Sequence, residues 1–178
     1  MVVHVALLRG INLGPARRIP MAQLRALLSA AGYANVRTHL QSGNVVLESA
    51  STPDALAAEL EAQLASAFGF EVPVVVRSRA ELADVIARDP FGALADDPRR
   101  YQVTFLTSAP PPGLEATLAA AAVAPERVVL SGREIYAWHP NGIARSELAK
   151  LLADRRAGVG GTARNWNTVT ALLTLTTA

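Results

Sequence analysis

Nine polar or basic residues could bind an anionic group, because guanidinium, amide and hydroxyl groups donate hydrogen bonds to phosphate oxygens. They lie in two separate stretches of the chain: Arg9, Asn12, Arg17, Arg18, Ser42 and Asn44, and then Arg164, Asn165 and Asn167. If one ligand uses both stretches, the fold must make the first loop and the start of the last helix neighbours. These nine residues are the candidate ligand-binding set.

The segment from Arg9 to Arg18 is predicted to be a loop between a buried strand and a helix. Phosphates bind at such places, because glycines let the backbone approach closely and the first N–H groups of a helix are free. The segment matches neither the Walker A sequence nor G-x-G-x-x-G, and Pro20 removes one donor at the helix start. The alternative is a structural loop with solvated arginines.

The charge distribution favours an anionic partner near the N-terminus. The formal net charge is only +2, but the first acidic residue is Glu48. Five arginines precede it: Arg9, Arg17, Arg18, Arg25 and Arg37. Such asymmetry indicates a basic surface that could meet a nucleotide or a nucleic acid. The alternative is that folding places Glu59, Glu61 or Glu81 beside these arginines.

Other kinds of site have weaker support. The absence of cysteine excludes disulfides, thiolate catalysis and cysteine-ligated metals. His4, His39 and His139 lack metal-ligand spacing, and we expect neither a metal nor a cofactor. Ser42 has no G-x-S-x-G context, and Ser42-Gly43-Asn44 is typical of a turn. A Ser–His–Asp triad formed by distant residues stays open, because triads are defined in space.

We expect a cytoplasmic protein with no membrane partner. The apolar segment from Met1 to Leu8 lacks the basic flank and the cleavage site of an export signal. No stretch reaches the roughly 18 apolar residues that a transmembrane helix needs. The lack of cysteine suits a reducing compartment.

The first half of the chain predicts a ferredoxin-like βαββαβ arrangement over residues 1–77. Its elements are a strand at Val2 to Leu8, a helix opened by Pro20, a hairpin around Ser42-Gly43-Asn44, a helix capped at Thr52 and a strand ending at Arg77. Residues 78–99 read as a helix followed by a linker rich in proline and aspartate.

The second half, residues 100–178, predicts a related βαββα arrangement within an α+β fold. A last helix from about Arg164, capped by Thr162 and with Trp166 in the core, takes the place of the strand that would complete the pattern. Gly158, Gly160 and Gly161 are interpreted as a flexible joint before that helix.

Four separated motifs resemble the bacterial domain-of-unknown-function family DUF1697. They are Leu7 to Gly14, Pro20-Met21, Gln41 to Val46, and Thr162 to Val169. The resemblance implies an α+β fold with ferredoxin-like character, and it implies no activity. Family members often have a second glycine and a lysine in the first loop, where this chain has Gly14-Pro15-Ala16-Arg17. They often have a lysine after the tryptophan motif, where this chain has Ala171.

Three functions remain open on the sequence. The preferred hypothesis is a binding module that recognises a nucleotide or nucleic acid through the basic N-terminal loop, although the aromatic pattern of RNA-binding sheets is missing. The second is an enzyme acting on a small anionic substrate in a cleft between the two halves, with no general base assigned. The third is a structural or interaction protein that forms a homo-oligomer through a sheet edge.

Overall fold

The N-terminal apolar strand forms the centre of a four-stranded sheet, as its continuous hydrophobic run predicts. The computed structural model describes residues 1–154 and 160–177. It divides into two units: residues 1–84 together with the residues from Leu172 onward, and Val85–Ala171. Each unit contains one antiparallel sheet with helices packed on it.

The first unit has the βαββαβ order of a ferredoxin-like fold. Its elements are β1 (Val2–Leu8), α1 (Met21–Ala30), β2 (Ala34–His39), β3 (Asn44–Ser49), α2 (Pro53–Phe68) and β4 (Val74–Ser78). The strand order is β2-β3-β1-β4. A further helix, α3 (Arg79–Arg88), follows β4 and crosses into the second unit.

The 16-residue helix α2 shows how local sequence determines where a helix begins and ends. The Thr52 hydroxyl accepts a hydrogen bond from the Ala55 N–H, and Pro53 occupies the first turn, where its missing N–H costs nothing. Leu56, Leu60 and Leu64 recur at i+4 spacing and are at most 1% exposed. Gly69 ends the helix with a left-handed φ of 76°.

The second unit repeats this connectivity. Its elements are β5 (Tyr101–Leu106), α4 (Leu114–Ala121), β6 (Arg127–Ser131), β7 (Glu134–Trp138), α5 (Glu147–Ala153) and β8 (Gly161–Asn165). The last helix, α6 (Trp166–Leu175), begins in this unit, and its residues from Leu172 belong to the first. The strand order is β6-β7-β5-β8, which matches the first sheet position for position. The predicted α+β class with a ferredoxin-like first half and a related second half is confirmed.

One predicted element of the second half was wrong. Residues 161–165 form a fourth strand, β8, which pairs antiparallel with β5, and the extra helix begins only at Trp166. Gly161 is not a joint: a Cβ at this position would lie 2.5 Å from the Phe105 carbonyl oxygen, so glycine permits the close pairing of β8 with β5. Gly158 lies outside the described residues.

The start of α6 differs from the prediction in its cap and in the packing of Trp166. Thr162 lies within β8, and Asn165 is the residue that caps α6. The Trp166 ring is half-buried and stacks on the Tyr101 ring at 4.5 Å between centroids and 13° between planes. None of the described helices is long and apolar enough to cross a membrane.

Candidate anion-binding cleft

The loop after β1 is held closed by Asn12. Its side-chain Nδ2 donates to the carbonyl oxygens of Ile19 (3.0 Å) and Gln41 (2.7 Å). Its Oδ1 accepts from the Ile19 N–H at 2.9 Å, and its own N–H donates to the Arg17 carbonyl at 2.9 Å. The φ of +55° is a conformation that asparagine tolerates better than most residues. Asn12 therefore ties this loop to the β2–β3 turn.

Arg17 and Arg18 are adjacent but play different parts. The Arg17 Nε donates to the Gly10 carbonyl at 3.0 Å, its terminal nitrogen donates to the Glu71 carbonyl, and its guanidinium carbon lies 5.0 Å from the centroid of the Phe70 ring. Arg18 is exposed and makes no hydrogen bond or ion pair with any described residue. Arg17 thus holds the loop, whereas Arg18 is available to a ligand.

An open cleft of about 790 Å³ lies between this loop, the start of α1 and the β2–β3 turn. Ten described residues line it: Asn12, Gly14, Pro15, Arg18, Ile19, Pro20, Met21, Ala22, Arg25 and Gln41. Two of these carry a positive charge and none carries a negative charge. The cleft is therefore electropositive in its immediate lining.

The N-terminus of α1 adds to this positive field. No side chain caps α1, and its first turn contains no acidic residue, so the partial positive charge of the helix end is not offset locally. Arg25, on the next turn, donates to the Thr38 hydroxyl at 2.6 Å and forms no ion pair with a described residue. An anion in the cleft would be attracted by the partial positive charge at the N-terminus of α1 and by the Arg25 guanidinium.

The glutamates that could have neutralised the N-terminal arginines have other partners. Glu59 accepts from the hydroxyls of Tyr33 and Ser51. Glu61 accepts from the Val74 N–H at 2.8 Å, and Glu81 accepts from the Ser78 N–H at 2.7 Å in a capping box at the start of α3. These contacts leave the charges of Arg18 and Arg25 without a local counter-ion among the described residues.

Ser42, Asn44 and Arg9 are built into the framework beside the cleft. The buried Asn44 amide donates to the His39 carbonyl (2.8 Å) and the Ser42 hydroxyl (3.1 Å). The Gly43 carbonyl accepts from the Leu8 N–H at 2.8 Å, and the Arg9 N–H donates to the Pro73 carbonyl at 2.9 Å. These contacts make the 42–44 segment a structural turn.

The C-terminal candidates belong to the second unit. The Arg164 guanidinium on β8 is buried and donates to the Thr162 hydroxyl (2.7 Å) and the Ala163 carbonyl (2.8 Å). Burial lowers the pKa of Arg164 to about 10, so it stays protonated at neutral pH. Asn167 is exposed on α6. Arg164 and Asn165 therefore have structural partners within their own unit.

We expect Asn165→Ala to destabilise the protein by about 1 kcal/mol, because it removes a helix cap. The Asn165 Oδ1 accepts from the Thr168 N–H at 3.0 Å and from the Thr168 hydroxyl at 2.9 Å. Urea unfolding measures the loss. The matched control is Asn167→Ala, an exposed position on the same turn, where the change should stay within about 0.5 kcal/mol. Equal effects at the two positions would contradict the capping role.

A Ser–His–Glu cluster was not singled out from the sequence. The His139 Nδ1 lies 2.7 Å from a Glu126 carboxylate oxygen and 3.2 Å from the Ser146 Oγ. In a catalytic triad the serine and the acid contact different ring nitrogens, whereas here both face Nδ1. Ser146 also accepts from the Ala149 N–H at 2.9 Å as the cap of α5. The cluster therefore anchors α5 and does not activate a nucleophile.

Among the residues described, no group of three or more His, Asp or Glu side chains is placed to hold a metal ion. Positive charge, a helix N-terminus and an open volume coincide at the cleft beside α1.

Comparisons with known proteins agree with this architecture. The family model described as "Protein of unknown function (DUF1697)" matches residues 1–136. The solved structure of the conserved bacterial protein SP0830 from Streptococcus pneumoniae matches with a TM-score of 0.80 at 22% identity, covering 98% of each chain. At this identity the similarity shows the fold alone. No curated protein matches the sequence.

Proposed function

This chain belongs to the DUF1697 family of proteins of unknown function, and we propose that it binds a phosphate-bearing anionic ligand, a nucleotide or a nucleic acid, in the cleft beside α1. The observation that carries the proposal is the lining of that cleft. Two arginines that form no ion pair with a described residue and an uncapped helix N-terminus face one open volume, and none of the described residues that line it is acidic. These features together favour a phosphate group.

The candidate residues divide into two roles. Arg18 and Arg25 would contact the ligand, because both line the cleft and neither forms an ion pair with a described residue. Asn12 and Arg17 would position them, because their hydrogen bonds fix the path of the loop. In this proposal Ser42 and Asn44 shape the turn at the cleft's edge, and Arg9 supports the end of β1.

The lining also indicates which part of the ligand is recognised. No aromatic side chain is among the ten residues that line the cleft, so base stacking, worth about 1–3 kcal/mol per base in single-strand binders, is not supplied there. Recognition would rest on the phosphate groups. We therefore expect little preference among bases.

A fluorescent single-stranded oligonucleotide tests the proposal by its salt dependence. Each neutralised phosphate contributes a slope of about −0.7 to the plot of log Kobs against log salt concentration. Contacts from Arg18 and Arg25 predict a slope of about −1.4, and Arg18→Ala is expected to reduce it to about −0.7 while weakening binding. Fluorescence anisotropy at several salt concentrations measures both quantities.

The matched control is Arg145→Ala, which removes the same charge from an exposed position in the second unit. It should leave the slope unchanged if the cleft is the site. A nucleoside triphosphate titrated in competition separates a nucleotide site from a nucleic-acid site. Binding that is insensitive to salt, or equally weakened by Arg18→Ala and Arg145→Ala, would overturn the proposal.

A further inference from the structure

The outer strand β6 is regular and unprotected. It stands at the end of the second sheet and pairs with β7 from Arg127 to Ser131 without a shift of register. Its three central residues, Val128, Val129 and Leu130, are apolar and partly exposed. No strand among the described residues pairs with its outer side.

The corresponding strand of the first sheet is protected. β2 occupies the same end position, but its pairing with β3 is interrupted between Ala34 and Arg37, where Asn35 adopts a φ of +52°. Bulges and charges of this kind prevent unwanted pairing at sheet edges. β6 contains neither a bulge nor a proline, and its one charged residue, Arg127, lies at its start.

The backbone groups that face outward from β6 follow from the hydrogen-bond alternation of antiparallel strands. The Leu106 N–H donates to the Arg133 carbonyl at 2.8 Å, so the backbone N–H and C=O groups of Arg133 face β5. The backbone groups of the next residue, Glu134, must then face β6, where Glu134 is paired with Ser131. The backbone groups of Ser131 therefore face β7, and those of Val129 and Arg127 do so too, because alternate residues of a strand face the same neighbour. The N–H and C=O groups of Val128 and Leu130, which lie between them, point away from the sheet.

We propose that this edge pairs with β6 of a second copy of the chain, antiparallel and about a two-fold axis at Val129. In that register Val128 of each copy lies opposite Leu130 of the other. Each of these two pairs exchanges two N–H···O=C hydrogen bonds, which makes four backbone hydrogen bonds across the interface. Arg127 falls opposite Ser131, so no like charges are opposed. The strand is thus self-complementary, as a two-fold interface requires.

The surroundings of β6 suit a second copy. Helix α4 packs against β6, and its exposed residues include Ala116, Ala119 and Ala120, whose small side chains allow close approach. Val123, just before the strand, is 65% exposed. An apolar rim beside an open strand edge is a surface that association would bury.

Opposite charges at Val129 test the proposal. Val129 would face its own counterpart in a non-hydrogen-bonded pair, where side chains lie closest. Sedimentation equilibrium from micromolar to millimolar protein should show the wild type approaching twice the chain mass of 18.7 kDa. Val129→Lys and Val129→Glu should each raise the dimer Kd at least about tenfold, and an equimolar mixture of the two should restore the dimer mass.

Val2→Lys on β1 is the control, because Val2 is 50% exposed and lies outside the proposed interface, and it should leave the dimer Kd unchanged. Circular dichroism of each variant establishes that it is folded. A wild type that stays monomeric at millimolar concentration would refute the proposal. So would folded Val129 variants that dimerise as well as the wild type, or a mixture of the two that fails to re-form the dimer.

Discussion

Replacing Gly43 by alanine is expected to lower the free energy of unfolding by about 3 kcal/mol. An added Cβ would lie 2.7 Å from the Ile11 Cδ1 and 2.8 Å from the Leu8 Cβ. The Ile11 side chain can rotate, but the Leu8 Cβ is fixed on β1. Because the Leu8 N–H also donates to the Gly43 carbonyl, relieving the clash would break a hydrogen bond. Urea unfolding measures the loss.

Gly32→Ala separates the steric cost from the conformational cost. Gly32 has a similar left-handed φ of +94°, but nothing lies within 4 Å of its added Cβ. Only the backbone strain remains, which is about 1 kcal/mol. If both variants lost the same stability, the contact between the turn and β1 would not be the reason for glycine at position 43.

The second large effect is expected for Asn12→Ala, at about 3 kcal/mol of unfolding free energy. The substitution removes three side-chain hydrogen bonds, two to carbonyls of Ile19 and Gln41 and one from the Ile19 N–H. Each is worth about 1 kcal/mol net. It also leaves alanine at a positive φ. Thermal and urea unfolding should both register the change.

Asn35→Ala is the appropriate comparison for Asn12→Ala. Asn35 shares the left-handed conformation, with φ of +52°, but its exposed side-chain amide donates one hydrogen bond, to the Glu48 carboxylate at 2.7 Å. We expect a loss of about 1 kcal/mol there. An Asn12 variant no less stable than the Asn35 variant would show that the loop does not depend on the Asn12 network.

The Asn12 variant also bears on the proposed ligand site. Its hydrogen bonds hold the loop that carries Arg18 against the turn that contains Gln41. Weaker oligonucleotide binding by a folded Asn12→Ala protein would support a positioning role. Unchanged binding would mean that Arg18 acts without support from this network.

Local sequence was sufficient for most of the first unit. The apolar run Val2–Leu8 became β1 with the predicted ends, and Thr52, Pro53 and Gly69 placed both ends of α2. Caps, turn glycines and i+4 leucines act over a few residues. Such signals can be recognised without knowledge of the rest of the fold.

The strand β8 could not be recognised in this way. Its residues, Gly161 to Asn165, have no apolar alternation, and the strand exists because β5 supplies its hydrogen-bond partners. A glycine in that string looks like a joint, but its role is to let two backbones approach. The one signal for β8 in the sequence was the order of the predicted elements: the first half reads βαββαβ and the second βαββα, so that a further strand would have completed the second pattern.

The sequence by itself determined the α+β class, the ferredoxin-like first half and the acid-free basic segment before Glu48, because composition and short-range periodicity carry that information. Only the tertiary structure distinguished Arg18, which lines the cleft, from Arg17, which is held by the carbonyls of Gly10 and Glu71. Adjacent arginines are chemically identical in a sequence. Their roles differ because the folded backbone decides which guanidinium meets a carbonyl oxygen and which meets solvent.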